Sequence, residues 1–83
     1  MSKRVIKFSK ENCSPCKQVS QWLDERGIEC ETINPYETPD EAVKYRVRSV
    51  PTVLVYEGAE EIGRSVGFKP DMLGDLLGFL TNV

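Results

Sequence analysis

The stretch Cys13-Ser14-Pro15-Cys16 carries two thiols two residues apart, at the point where the pattern of the chain changes. Before it, Lys3 to Phe8 has the closely spaced apolar residues that are typical of a β-strand covered on both faces. After it, residues 14–26 have helical spacing, with Val19 and Leu23 one turn apart. A dithiol at a strand-to-helix junction is placed for redox chemistry, because a helix N-terminus lowers the pKa of a thiol and the thiolate is the reactive form. The sequence therefore predicts thiol–disulfide exchange.

After the first helix, the sequence pattern predicts three further strands and two further helices. We expect the strands at residues 28–33, 52–56 and 61–66, between clusters of turn-forming residues. The order of elements is β-α-β-α-β-β-α, and its βαβ start implies parallel strands joined by a right-handed crossover. The sequence therefore predicts one α/β domain over residues 1–83, with a four-stranded mixed sheet and helices on both faces.

The two further helices have recognisable starts. Thr38 and Glu41 have the spacing of a capping box, and Pro39 stands at the first position of a short helix that ends near Arg46. Pro70 opens the last helix. Its buried side is expected to carry Met72, Leu73, Leu76, Leu77 and Leu80.

Charge and hydropathy exclude several classes of partner. The net charge of −2 argues against a nucleic-acid-binding protein, which normally presents a basic face. No apolar run approaches the length that spans a bilayer. Lys7 and Lys10 interrupt the apolar residues near the N-terminus, so a signal-peptide core is also missing. We expect a cytoplasmic monomer that binds neither nucleic acid nor membrane.

The three cysteines and the absence of histidine narrow the role of the thiols. A structural zinc site usually needs four Cys or His ligands, although a metal or iron–sulfur site shared between molecules stays open from sequence alone. A bond between Cys13 and Cys16 closes so short a loop that it would contribute only about 2 kcal/mol through chain entropy. We therefore expect a redox-active pair with no bound metal or cofactor. Cys30 is expected in the core, with a regulatory thiol as the alternative, and Trp22 is expected to be partly exposed.

Three features match a known family: the Cys-x-x-Cys at the first strand–helix junction, Val50-Pro51-Thr52 before the third strand, and Gly67 after the fourth. In these the chain resembles the thioredoxin superfamily, which implies the thioredoxin fold in its minimal form. Within that superfamily it is similar to the small NrdH-type redoxins. That closer resemblance rests mainly on Gly67-Phe68-Lys69-Pro70-Asp71-Met72.

The chemistry and the resemblance together assign roles to the site residues. Cys13, at the helix start, is the expected nucleophile, and Cys16 is the resolving thiol. The resemblance implies a cis Pro51 that leaves the Val50 backbone free to pair with a substrate peptide, with Thr52 beside it; a trans proline that opens an edge strand is the alternative.

Gly67 and Phe68 follow the fourth predicted strand. Both are candidates for the substrate groove, Gly67 because it allows close approach of a backbone. Packing of Phe68 in the core is the alternative for its ring.

The resemblance also implies partners. NrdH-type redoxins donate electrons to ribonucleotide reductase and are recharged by thioredoxin reductase. Other disulfide proteins as acceptors, a glutaredoxin recharged by glutathione, and a non-catalytic adaptor are the alternatives. Two departures stand out: Ser65 occupies a position where NrdH-type redoxins have tryptophan, and Lys7 occupies one where thioredoxins bury an aspartate. Without that carboxylate we expect slower resolution by Cys16, unless Lys7, Glu11 or water takes its place.

Overall fold

In residues 3–81, which the computed structural model describes, helices and strands follow one another in the predicted order β-α-β-α-β-β-α. Their bounds are β1 (Lys3–Phe8), α1 (Ser14–Glu25), β2 (Glu31–Ile33), α2 (Pro39–Tyr45), β3 (Thr52–Glu57), β4 (Glu60–Val66) and α3 (Pro70–Thr81). Side chains are described through Phe79, so the predicted burial of Leu80 lies outside the described residues.

The four strands form one mixed sheet in the order β2-β1-β3-β4. β1 runs parallel to β2 and antiparallel to β3, and β3 runs antiparallel to β4. Phe8 is paired with both Ile33 and Thr52, and Thr52 is paired with Val66. The C-terminal ends of β1, β2 and β4 and the N-terminal end of β3 therefore lie side by side at one end of the sheet.

The second strand begins later than predicted, because the residues before it close the first helix. Gly27 adopts a left-handed conformation with φ of +67°. Its N–H donates to the carbonyl of Asp24, and the N–H of Ile28 donates to the carbonyl of Leu23, each at 3.0 Å. This is a Schellman motif, in which the chain turns back over the last helical turn. Ile28 is consequently a buried residue of the helix end rather than part of β2.

Two apolar clusters cover opposite faces of the sheet. The cluster under α1 and α3 contains Val5, Val19, Trp22, Leu23, Ile28, Val53, Val55, Leu73 and Leu77. The cluster under α2 contains Ile6, Phe8, Tyr45, Val47 and Leu54. Neighbours along a strand alternate between the two faces, as the pleat requires.

Two burial predictions were wrong. Trp22 is 8% exposed, because its ring packs in the α1–α3 cluster and the guanidinium of Arg26 lies 3.9 Å from the ring centroid. Met72 is 45% exposed and lies near Ile62 of the edge strand β4. The buried face of α3 is instead carried by Leu73 and Leu77.

The ends of α2 are held differently from the prediction. Thr38 precedes the helix, but its side chain does not cap it, since its hydroxyl donates to the carbonyl of Asn34 at 3.2 Å. At the other end, Arg64 donates to the carbonyls of Tyr45 and Arg46 at 2.8 and 3.0 Å. The same guanidinium binds Glu61 and lowers the pKa of that carboxyl through their hydrogen bonds. Arg64 thus joins β4 to the last turn of α2.

Removing these donors should destabilise the domain. We expect Arg64→Met to lower the free energy of unfolding by about 1–2 kcal/mol, because two carbonyls at a helix end lose their partner. Arg4→Met is the matched control, since Arg4 makes a similar bidentate pair with Glu31 at the surface and such pairs contribute about 0–1 kcal/mol. Urea unfolding measures both, and equal losses would contradict the role given to the helix carbonyls.

Ser65 is fully buried, and its hydroxyl has no hydrogen-bond partner among the described residues. It pairs with Val53, so it faces the α1–α3 cluster. We expect Ser65→Ala to raise the free energy of unfolding by about 1 kcal/mol, because an unpaired buried hydroxyl is costly. Thr52→Val is the control of opposite sign, since the Thr52 hydroxyl donates to the carbonyl of Ser49 at 2.7 Å. Thermal unfolding of both variants tests this; a loss of stability in Ser65→Ala would reject it.

Candidate active site

Cys13 and Cys16 are joined by a disulfide, with their Cα atoms 5.2 Å apart. Cys13 is the N-cap of α1 in extended conformation, with φ of −129° and ψ of 106°. Cys16 lies in the first helical turn, so the pair spans the helix start. Pro15 fits between them because the first turn of a helix does not need its N–H.

The two sulfurs have different surroundings. Sγ of Cys13 accepts a hydrogen bond from the backbone N–H of Cys16 at 3.2 Å. First-turn amides and the helix dipole favour negative charge at this position. Cys13 is 8% exposed and Cys16 is 2% exposed, so Cys13 is the sulfur that a substrate can reach. This geometry suits attack by Cys13 and a second, internal step by Cys16.

The segment before β3 lies at the same end of the sheet as Cys13, because the end of β1 pairs with the start of β3. The Val50–Pro51 peptide bond is cis, as the resemblance implied. Pro51 and Thr52 are buried, and the carbonyl of Pro51 accepts from the N–H of Gly67 at 2.8 Å. Val50 is half-buried, and its backbone takes no part in the backbone hydrogen bonds of the described loops and strands. The Val50 backbone is thus left outside the hydrogen-bonding pattern of the described strands.

Cys13 and Val50 face a common depression of about 500 Å³. The residues that line it are Lys10, Asn12, Cys13, Ser14, Pro15, Tyr36, Arg48, Ser49 and Val50. The first five follow β1, Tyr36 follows β2, and the last three precede β3. The structure therefore brings Cys13 and Val50 together, with Pro51 and Thr52 buried beneath.

Tyr36, Arg48 and Ser49 belong to this depression, although the sequence analysis did not single them out. The signal that could have found them is topological. The parallel strands β1 and β2 finish at one end of the sheet, and the antiparallel strand β3 begins at that end. Residues just after β2 and just before β3 must therefore lie near Cys13, which follows β1.

Gly67 lies beside the loop before β3, and neither Gly67 nor Phe68 is among the residues that line the depression. Gly67 has φ of +81°, a conformation that favours glycine, and its N–H holds Pro51. Phe68 is half-buried against the α1–α3 cluster and lines a separate groove along α1 near Trp22. The Phe68 ring thus packs against the α1–α3 cluster and lines that separate groove, and Gly67 contacts the loop before β3 through the Pro51 carbonyl.

Lys7 lies on the sheet beneath α1. It is half-buried, and its Nζ donates to the hydroxyl of Ser20 at 2.7 Å. Ser20 follows Cys16 by one helical turn, on the same side of α1. The buried polar side chains of the described residues are Thr52 and Ser65, so no carboxylate in residues 3–79 is buried behind the cysteines.

In residues 3–79, no group of three or more His, Cys, Asp and Glu side chains is arranged to hold a metal ion. None of the helices described within residues 3–81 is long and apolar enough to cross a membrane.

A model of the thioredoxin family matches residues 1–78 of this sequence. The chain belongs to the thioredoxin family. It is 44% identical over 75 residues to the SPbeta prophage-derived thioredoxin-like protein YosR of Bacillus subtilis, a match that covers 89% of this chain and 94% of that protein. It is 39% identical over 71 residues to thioredoxin of Streptomyces clavuligerus, covering 80% of this chain and 66% of that protein.

Solved thioredoxins share the fold. The structure of Malassezia sympodialis thioredoxin superposes with a TM-score of 0.81 at 21% identity, covering 93% of this chain and 73% of that chain. Oxidised thioredoxin from Plasmodium falciparum gives the same TM-score at 20% identity, covering 95% of this chain and 81% of that chain. These two likenesses show the fold. The class of thiol–disulfide oxidoreductase follows from the family match together with the Cys13–Cys16 disulfide.

Proposed function

We propose that the chain reduces disulfide bonds in partner proteins through Cys13 and Cys16. The observation that carries this proposal is the hydrogen bond from the Cys16 N–H to Sγ of Cys13 at the start of α1. In the reduced protein the same amide can stabilise a Cys13 thiolate. The greater burial of Cys16 supports giving it the second step.

The reaction proceeds in two exchanges. The Cys13 thiolate attacks one sulfur of the substrate disulfide, forms a mixed disulfide and releases the other substrate sulfur as a thiolate. Cys16 then loses its proton and attacks Sγ of Cys13, which forms the Cys13–Cys16 disulfide and releases the second substrate thiolate. Two electrons pass to the substrate. The proton of Cys16 and a second proton from solvent, equivalent to the one that Cys13 lost on ionising, neutralise the two released thiolates.

Lys7 bears on the second exchange. Its ammonium is held on the sheet side of α1 by Ser20, one turn beyond Cys16. A nearby cation favours the anionic form of a thiol, but unlike a carboxylate a protonated lysine cannot accept the proton of Cys16. We therefore expect resolution to depend on water or on the substrate for removal of that proton.

We further propose thioredoxin reductase, a flavoenzyme, as the reductant and ribonucleotide reductase as the main electron acceptor, in the cytoplasm. The support is the NrdH-like segment at residues 67–72. Glutaredoxins carry Gly-Gly or Gly-Cys followed by Asp around this position, whereas this chain has Gly67-Phe68-Lys69-Pro70. Recharging by glutathione is therefore the weaker alternative.

Two coupled assays test the proposal. With a disulfide protein as acceptor, we expect NADPH and thioredoxin reductase to sustain turnover, and glutathione with glutathione reductase to sustain much less. Turnover with the glutathione system alone would reject thioredoxin reductase as the reductant. A Cys13→Ser/Cys16→Ser variant that retained full function with a partner enzyme would instead favour a non-catalytic adaptor.

A further inference from the structure

The depression beside Cys13 has a charge opposite to that of the chain. Lys10 and Arg48 contribute two exposed cationic side chains to its lining, and no Asp or Glu is among the lining residues. The whole chain has 13 acidic and 11 basic residues, for a net charge of −2. A local excess of positive charge on an acidic protein is therefore concentrated where the substrate must approach.

Neither cation is neutralised within the described side chains. The ion pairs in residues 3–79 join Lys3 to Glu57, Arg4 to Glu31, Arg26 to Glu25 and Arg64 to Glu61. Lys10 and Arg48 are in none of them. Their charges are consequently available to a ligand.

Lys10 is also oriented toward the depression. Its Nζ lies 5.2 Å from the centroid of the Tyr36 ring, which lines the same depression and belongs to a 70% exposed residue. The Tyr36 backbone is held by a hydrogen bond from its N–H to the Asn34 side chain at 2.9 Å. A cation over an aromatic ring is attracted to its face, so the ammonium is held beside a ring that lines the same depression as Cys13.

We propose that the disulfides reduced by this protein lie in acidic segments, whose Asp or Glu side chains bind Lys10 and Arg48. This inference rests on the proposed function, since it names the class of substrate for the same site. Opposite charges at exposed positions mainly increase the rate of encounter, and salt screens them. The preference should therefore appear in the second-order rate constant at low ionic strength.

The test uses three synthetic peptides with the same internal disulfide, flanked by glutamates, by glutamines or by lysines. We expect the reduced protein to react about tenfold faster with the glutamate peptide at low salt, and the ratio to fall toward one at high salt. In Lys10→Gln/Arg48→Gln the ratio should fall toward one even at low salt. In Lys10→Glu/Arg48→Glu a lysine-flanked peptide should become the faster substrate.

The control variant Lys44→Gln/Lys69→Gln removes the same number of charges from exposed residues outside the depression, and it should keep the wild-type ratio.

A neutral small disulfide, bis(2-hydroxyethyl) disulfide, separates the two proposals. Its reduction by wild-type protein together with equal rates for the glutamate and glutamine peptides would overturn the acidic-segment proposal and leave the proposed function standing. Failure to reduce any of these disulfides would overturn both. Glutathione disulfide is assayed beside the peptides. If it alone reacted more slowly with Lys10→Gln/Arg48→Gln than with the wild-type protein, the two cations would bind glutathione, and the acidic-segment proposal would be rejected.

Discussion

Cys16→Ser should leave the protein covalently joined to its substrate, with turnover reduced to background. Cys13 can still attack a disulfide in this variant, but no second thiol is placed to release the product. Non-reducing electrophoresis and intact mass measurement should show one protein bound per substrate disulfide, and dithiothreitol should release it.

Cys13→Ser should lose both the turnover and the adduct, because Cys16 is 2% exposed and is not reachable by a protein disulfide. Cys30→Ser is the matched control. Cys30 is a half-buried free cysteine that packs against the α1–α3 cluster, and its replacement should preserve turnover. An adduct formed as readily by Cys13→Ser as by Cys16→Ser would mean that the two sulfurs have been assigned to the wrong steps.

The largest effect on stability is expected at Phe8. Its side chain is fully buried on the α2 face of the sheet, with its ring centroid 5.8 Å from that of Tyr45 in an edge-to-face arrangement. Phe8→Ala should lower the free energy of unfolding by about 3–5 kcal/mol, through lost burial and the cavity left behind. Because small domains are stable by only about 5–15 kcal/mol, a loss of this size threatens folding itself.

Phe79→Ala makes the same substitution at a residue that is 44% exposed, where Lys3 lies 5.2 Å from the ring centroid. We expect a loss below about 1 kcal/mol there, since little apolar surface is withdrawn from water at that position. Urea unfolding gives the midpoint and slope for both variants. Similar midpoints would show that the α2 face contributes far less to stability than its burial indicates.

Local signals in the sequence were sufficient to predict the order of elements. Proline and glycine mark most boundaries, and alternation or helical spacing identifies the segments between them. The errors arose where several contacts compete for one side chain. Trp22 packs in the α1–α3 cluster and is covered by Arg26, and Thr38 bonds back to Asn34, four residues earlier, instead of capping α2. Spacing alone does not decide which of the competing contacts forms.

The candidate site shows the same division. Cys13 and Cys16 are neighbours in sequence, so their pairing and their place at a helix start could be predicted. Lys10 and Arg48 are far apart in the sequence and line one depression because β3 runs antiparallel to β1. The position of the Phe68 ring was undecided from sequence because an aromatic residue after a strand fits a groove and a core equally well.

The distribution of aromatic residues makes each side of the sheet optically distinct. Trp22, the one tryptophan of the chain, belongs to the α1–α3 cluster, whereas Tyr45 and Tyr56 stack edge-to-face in the cluster under α2. Tryptophan emission, excited where tyrosine does not absorb, therefore reports on the layer that carries the redox helix. Tyrosine absorbance reports chiefly on the cluster under α2. Unfolding of unlabelled protein, followed by both signals, can therefore show whether the two clusters unfold together or one after the other.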